Sequence, residues 1–100
     1  MDFATFETSF RDSQPPPGLP VLVEALWWEA HGDWGRAHTI AQEMDDRDGA
    51  WVHAYLHRRE GDTANAGYWY RRAGQPVSTQ ALDFNQERKA IVTALLARGK

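Results

Sequence analysis

His53, His57 and Glu60 stand at positions i, i+4 and i+7 of a stretch with helical periodicity, AWVHAYLHRREGD, and that spacing places two imidazoles and a carboxylate on one helix face. Two imidazoles one turn apart beside a carboxylate can ligate zinc or another divalent ion, and an open coordination position would make such a site catalytic. Ala54, not a glutamate, follows the first histidine, so the His-Glu-x-x-His arrangement of a metalloprotease is missing. The same spacing suits half-buried or exposed histidines that only hydrogen-bond. His31 and His38 flank a Gly32-Asp33 turn upstream, and His31 falls at a helix C-terminus, where the dipole favours a protonated imidazole. Convergence of the four histidines would strengthen the metal reading.

A second group is aromatic and basic: Trp51, Tyr55, Arg58, Arg59, Tyr68, Trp69, Tyr70, Arg71 and Arg72. Arginine presents a planar fork to carboxylates and phosphates and stacks on rings, and Trp, Tyr and Arg are enriched in binding hot spots. Trp51, His53, His57, Arg58, Tyr68, Arg71 and Arg72 are therefore candidate partner contacts. The alternative makes Trp51, Tyr55, Trp69 and Tyr70 core residues and leaves the arginines solvated or paired with Asp45, Asp46 and Asp48. The chain carries no Gly-rich phosphate loop, no G-x-S-x-G elbow and no cysteine nucleophile. Its carboxylates read as scattered over exposed faces, without a pair to serve as acid and base. Enzymatic activity has only the His-His-Glu triplet behind it, so the reading leans away from an enzyme.

The elements that must position these residues are helices. Phe3, Phe6 and Phe10 form one stripe of a short helix or ordered arm, expected to fold back on the body. Pro15, Pro16, Pro17 and Pro20 then forbid a continuous helix and make a stiff connector. Leu22, Val23, Leu26, Trp27 and Ala30 mark a helix over about 19–31, with Glu24 and Glu29 off that stripe. Trp34, Ala37, Ile40, Ala41 and Met44 mark a second over about 33–44. A third spans about 48–60 and a fourth about 62–73, the latter with Ala66, Trp69, Tyr70 and Ala73 on one side. After Gly74 to Val77, Ser78 or Thr79 is expected to cap a last helix running to about Ala97. Its apolar side is Leu82, Phe84, Ile91, Leu95 and Leu96, with Glu87, Arg88 and Lys89 outward. Gly32 matches Gly61, Asp33 matches Asp62 and Ala37 matches Ala66, so the helix-turn-helix unit repeats once at an offset of 29 residues.

Gly61-Asp62, Ala66 and then Tyr68-Trp69-Tyr70-Arg71-Arg72-Ala73 resemble the second helix of a tetratricopeptide or Sel1-like repeat, G-D-x-x-x-A-x-x-[WY]-Y-x-x-A. Gly32 to Ala37 matches the opening half of that pattern, and Thr39, Ile40 and Ala41 stand where its aromatic pair would fall. The resemblance covers about residues 20 to 75. It implies an all-α, TPR-like α-α repeat of two antiparallel helix pairs with a C-terminal capping helix. It also implies that the first helices of each pair line a concave surface, with His53, His57 and Arg58 as peptide contacts. The chain is similar, too, to small bacterial proteins that share the WVHAYLHR and YWYRRAG strings, which implies a family and no activity.

One hundred residues suit a single helical domain: 1–18 an N-terminal arm and Pro-rich connector, 19–75 two helix-turn-helix units, 76–100 a capping helix. A net charge of −3 with 25% charged residues lacks a nucleic-acid footprint, and no apolar run approaches the roughly 20 residues that span a bilayer. With no cysteine and no secretory signal pattern, a soluble cytoplasmic protein is expected. The leading functional expectation is a non-enzymatic module that binds an unidentified protein or peptide. The alternatives are a small metal-binding domain or metal-dependent enzyme using His53, His57 and Glu60 with a divalent metal, and a homo-oligomer whose aromatic surface is its own interface.

Overall fold

Each helix begins where an aspartate can take a free amide or a proline fixes the backbone. In a computed structural model, which describes residues 1–76 and 83–99, the helices are α1 (Phe3–Thr8, continued by a 3-10 turn over Ser9–Arg11), α2 (Val21–Ala30), α3 (Trp34–Gln42), α4 (Arg47–Arg59), α5 (Thr63–Ala73) and α6 (Phe84–Arg98). The carboxylates of Asp2, Asp33, Asp46, Asp62 and Asp83 accept the amides of Thr5, Arg36, Gly49, Asn65 and Gln86, capping α1, α3, α4, α5 and α6. Pro20 precedes α2. No strand occurs among the described residues, and none of their helices is long and apolar enough to cross a membrane.

The internal repeat is real at the level of the turn. Gly32 and Gly61 both adopt positive φ, +83° and +81°, a conformation that disfavours residues with a side chain. The amides of Asp33 and Asp62 then reach back to the carbonyls of Trp28 and His57, each at 2.9 Å. Two hairpins result: α2 packs on α3, α4 packs on α5, and α3 lies against α4. Ala54 and Ala66 are small and fully buried or nearly so, which lets α4 and α5 approach closely around Tyr70.

The core lies between the hairpins and α6. Leu22, Leu26, Trp27, Tyr55, Leu56 and Ile91 are buried there, and Phe6 of the N-terminal arm is completely buried among them. Burying one such ring contributes on the order of 2 kcal/mol, enough to hold the arm against the body, as its stripe of phenylalanines predicts.

Three expectations for charged residues are corrected. Glu87 and Arg88 face inward, because each precedes a buried residue by one turn, Ile91 and Val92. Glu29 is likewise 4% exposed, one turn after Ala25 on the buried side of α2. Arg88 sends Nε and Nη2 to Glu29, both at 2.9 Å, while the Tyr55 hydroxyl donates to the same carboxylate at 3.2 Å and Arg59 Nε lies 3.2 Å away. Glu87 accepts from Arg58 at 2.6 Å and from the Tyr70 hydroxyl. Two buried carboxylates thus tie α6 to α2, α4 and α5 through charge-assisted hydrogen bonds. The last helix starts at Phe84 under an Asp83–Gln86 capping box; Val77, Ser78, Thr79 and Leu82 lie outside the described residues.

Candidate metal centre

Trp34 sets the site. Its indole nitrogen donates to the Leu56 carbonyl at 2.7 Å, pinning the start of α3 to α4. His38, one turn further along α3, stacks on the Trp34 ring at 4.7 Å and so faces α4 at the level of His53 and His57. On α4 the two histidines stack on each other with centroids 4.8 Å apart, and Trp69 from α5 covers the outer face of His53 at 4.1 Å. Three imidazoles from two helices are gathered between two tryptophans.

The ring nitrogens converge. One nitrogen from each of His38, His53 and His57 lies within 4.8 Å of the others, and Nε2 of His53 and of His38 are 2.8 Å apart, one donating and the other accepting. Zinc–nitrogen bonds of about 2.0–2.1 Å in tetrahedral geometry require nitrogens roughly 3.3 Å apart, so the widest separation in the set must shorten before all three can ligate one ion. His53 is 7% exposed. Burial, then the neighbouring His38 and His57, push its pKa down to about 4, and burial followed by His57 also lowers that of His38. Both are neutral near pH 7, the form in which an imidazole nitrogen has a lone pair for a metal.

Behind His57 stands a carboxylate. Asp62 Oδ2 is 3.6 Å from His57 Nδ1, and hydrogen bonds from the Asn65 side chain and backbone hold Asp62 below the usual carboxylate range. Asp62 is fixed there because it caps α5. A carboxylate behind a histidine is the usual outer partner that orients a ligating ring.

Of the residues singled out in the sequence, His53 and His57 come together and Glu60 does not join them. Glu60 is exposed at the end of α4, bordering a cleft with Glu29, Gly32, Trp34 and Arg59. His31 lies apart, stacked on Trp27 at 3.7 Å and within hydrogen-bond distance of the Asp12 carbonyl, where it fastens the N-terminal arm. His38 takes the third place. A partial signal lay in the sequence: His38 and His53 lie equally far from the Asp45-Asp46 turn, as do Trp34 and His57 one turn beyond, which sets each pair at one level of an antiparallel hairpin and leaves open which faces meet.

The candidate partner contacts are dispersed. Trp51 is half-buried between the two apolar clusters, with the Arg98 guanidinium 5.9 Å from its ring. Arg58 is occupied by Glu87. Tyr68, Arg71 and Arg72 are exposed on α5, where Arg72 donates to the Tyr68 hydroxyl at 3.2 Å and lies over the Trp69 ring. Comparison of the chain with family models, curated proteins and solved structures finds no match.

Proposed function

We propose that this chain is a divalent-metal-binding helical domain, with His38, His53 and His57 as the ligands. The observation that carries the reading is the convergence of three ring nitrogens, two of them on neutral imidazoles, within 4.8 Å. With Nδ1 turned to Asp62, His57 offers Nε2 to the metal. An all-imidazole set suits zinc, copper, iron or nickel better than magnesium or calcium, which prefer oxygen. The repeat of two capped hairpins supports a tetratricopeptide-like arrangement as the frame, in which the metal would join α3 to α4.

The test is a zinc titration of purified, untagged protein by calorimetry. One equivalent is expected to bind. His38→Ala and His53→Ala should each weaken binding by 10-fold or more, and Glu60→Ala should leave it unchanged. Failure of the wild-type protein to bind, or loss with Glu60→Ala instead of His38→Ala, would refute the assignment.

A protein- or peptide-binding role keeps one supporting observation: Tyr68 is 45% exposed beside the exposed Arg71 and Arg72 on α5. Side chains of this kind serve as anchors at interfaces. Loss of a captured partner in a folded Tyr68→Ala variant would favour that role.

A further inference from the structure

His31 closes α2 and stands outside the group of three converging imidazoles. Its ring lies flat on Trp27, with centroids 3.7 Å apart and planes 20° from parallel, and meets Phe10 of the N-terminal arm edge-on at 5.8 Å. Both ring nitrogens are engaged. Nδ1 is 3.1 Å from the Trp27 carbonyl, and Nε2 is 3.2 Å from the carbonyl of Asp12, just past the 3-10 turn of the arm.

A carbonyl oxygen only accepts. A neutral imidazole has one N–H, so it satisfies one of these two carbonyls and turns a lone pair on the other; the imidazolium has two and satisfies both. Two further features of the position favour the charged form. A cation over an indole face is attracted by the ring quadrupole, and a positive charge at a helix C-terminus is stabilised by the dipole. The other charged groups around the ring are held elsewhere. On the arm, Arg11 Nε donates to the Thr8 carbonyl, and Asp12 presents its main-chain carbonyl to the ring. Beyond Phe10, Arg88 of α6 is bound by Glu29, and past the end of α2, Asp33 caps α3.

We infer that His31 is a protonation-operated latch: as an imidazolium it ties the N-terminal arm to α2 through the Asp12 carbonyl, and on losing its proton it gives up one of its two bonds. The arm does not depend on this tie alone. Phe6 is fully buried and the Trp27 indole donates to Ser9 Oγ at 3.1 Å, so the latch sets how often residues 9–12 open and not whether the arm docks. Closure therefore strengthens as pH falls through the range in which imidazole titrates, and weakens as pH rises through it.

The test is amide hydrogen exchange of the full chain, read at Ser9 and Asp12, whose amides donate to carbonyls within the arm. It is run at pH about 8 and about 5.5, on either side of the imidazole range, with each rate divided by the chemical exchange rate at that pH. His31→Gln keeps a polar side chain and has no proton to gain. The ratio of wild-type to His31→Gln protection is expected to rise at least ~3-fold from the higher pH to the lower, since a second hydrogen bond is then made. Acid effects elsewhere in the chain are common to both proteins and cancel. A ratio that stays constant or falls overturns the inference. Asp12→Asn should keep the wild-type response, because the acceptor is the main-chain carbonyl; loss of the response in that variant would place the effect in an ion pair with the carboxylate and overturn the latch as well.

Discussion

Glu29→Gln is the sharpest test of how this small domain is held together. The substitution keeps the size of the side chain and removes its charge. In the native fold the carboxylate, 4% exposed, meets four donors: Arg88 Nε and Nη2 at 2.9 Å, the Tyr55 hydroxyl at 3.2 Å and Arg59 Nε at 3.2 Å. A carboxamide turns two of its own hydrogens toward that ring of donors and offers a single acceptor. Arg88, 9% exposed, is left buried without a countercharge. Arg59 can swing into solvent, since 37% of its side chain is already exposed, and the Tyr55 hydroxyl has the Phe84 carbonyl in reach at 3.4 Å, so the cost falls mainly on Arg88. Removing one partner of a buried ion pair costs about 3–5 kcal/mol, a large part of the roughly 5–15 kcal/mol that holds a domain folded. Urea unfolding followed by circular dichroism should show that loss, with a fall in Tm of more than about 10 °C. Replacing both partners, Glu29→Leu with Arg88→Met, should recover most of it, because no charge is then stranded. A single-variant loss below about 1 kcal/mol, or a double variant less stable than the single, would refute the reasoning.

The other predictions follow from the histidine cluster and the helix contacts. Metal-free protein should lose stability as pH falls from about 6.5 toward 4, because the unfolded chain takes up a proton on residue 53 near 6.5 while buried His53 resists until about 4. That stability is present in full above pH 6.5; its loss reaches about 3 kcal/mol near pH 4 and should shrink in His53→Leu, as equilibrium unfolding at a series of pH values will show. Trp34→Phe keeps a ring on His38 but removes the indole donor to Leu56; a loss of about 1–2 kcal/mol by denaturant titration is expected, together with weaker zinc binding by calorimetry. Gly49→Ala puts a methyl group into the Met44 backbone carbonyl at the α3–α4 turn, and should cost several kcal/mol in thermal unfolding. Gly35→Ala, whose Cβ would meet open space on α3, should be neutral or slightly stabilising in the same assay.

Much of the frame was legible in the chain itself. The Gly-Asp pairs at 32–33 and 61–62 mark both hairpin turns, because a backbone that must turn left-handed and a helix that needs a cap demand those residue types at adjacent positions. The apolar positions of α2 and the phenylalanine stripe of the arm were legible for the same reason: local periodicity decides which face of a helix can be buried. The inward turn of Glu29, Glu87 and Arg88 was not, although Glu87 and Arg88 lie one turn ahead of buried Ile91 and Val92. A charged residue on a helix is read as exposed unless its partner is known, and Arg88 finds Glu29 from 59 residues away.

The candidate site divides in the same way. Sequence alone determined that His53 and His57 share a face of α4, since that follows from their spacing of four within one helix. Tertiary structure decided the third member, bringing His38 in from α3 and sending Glu60 to solvent, because the bond from Trp34 to Leu56 fixes how α3 lies on α4. Helical periodicity carries no information about that rotation. It is set by which side chains on two different helices fill the space between them.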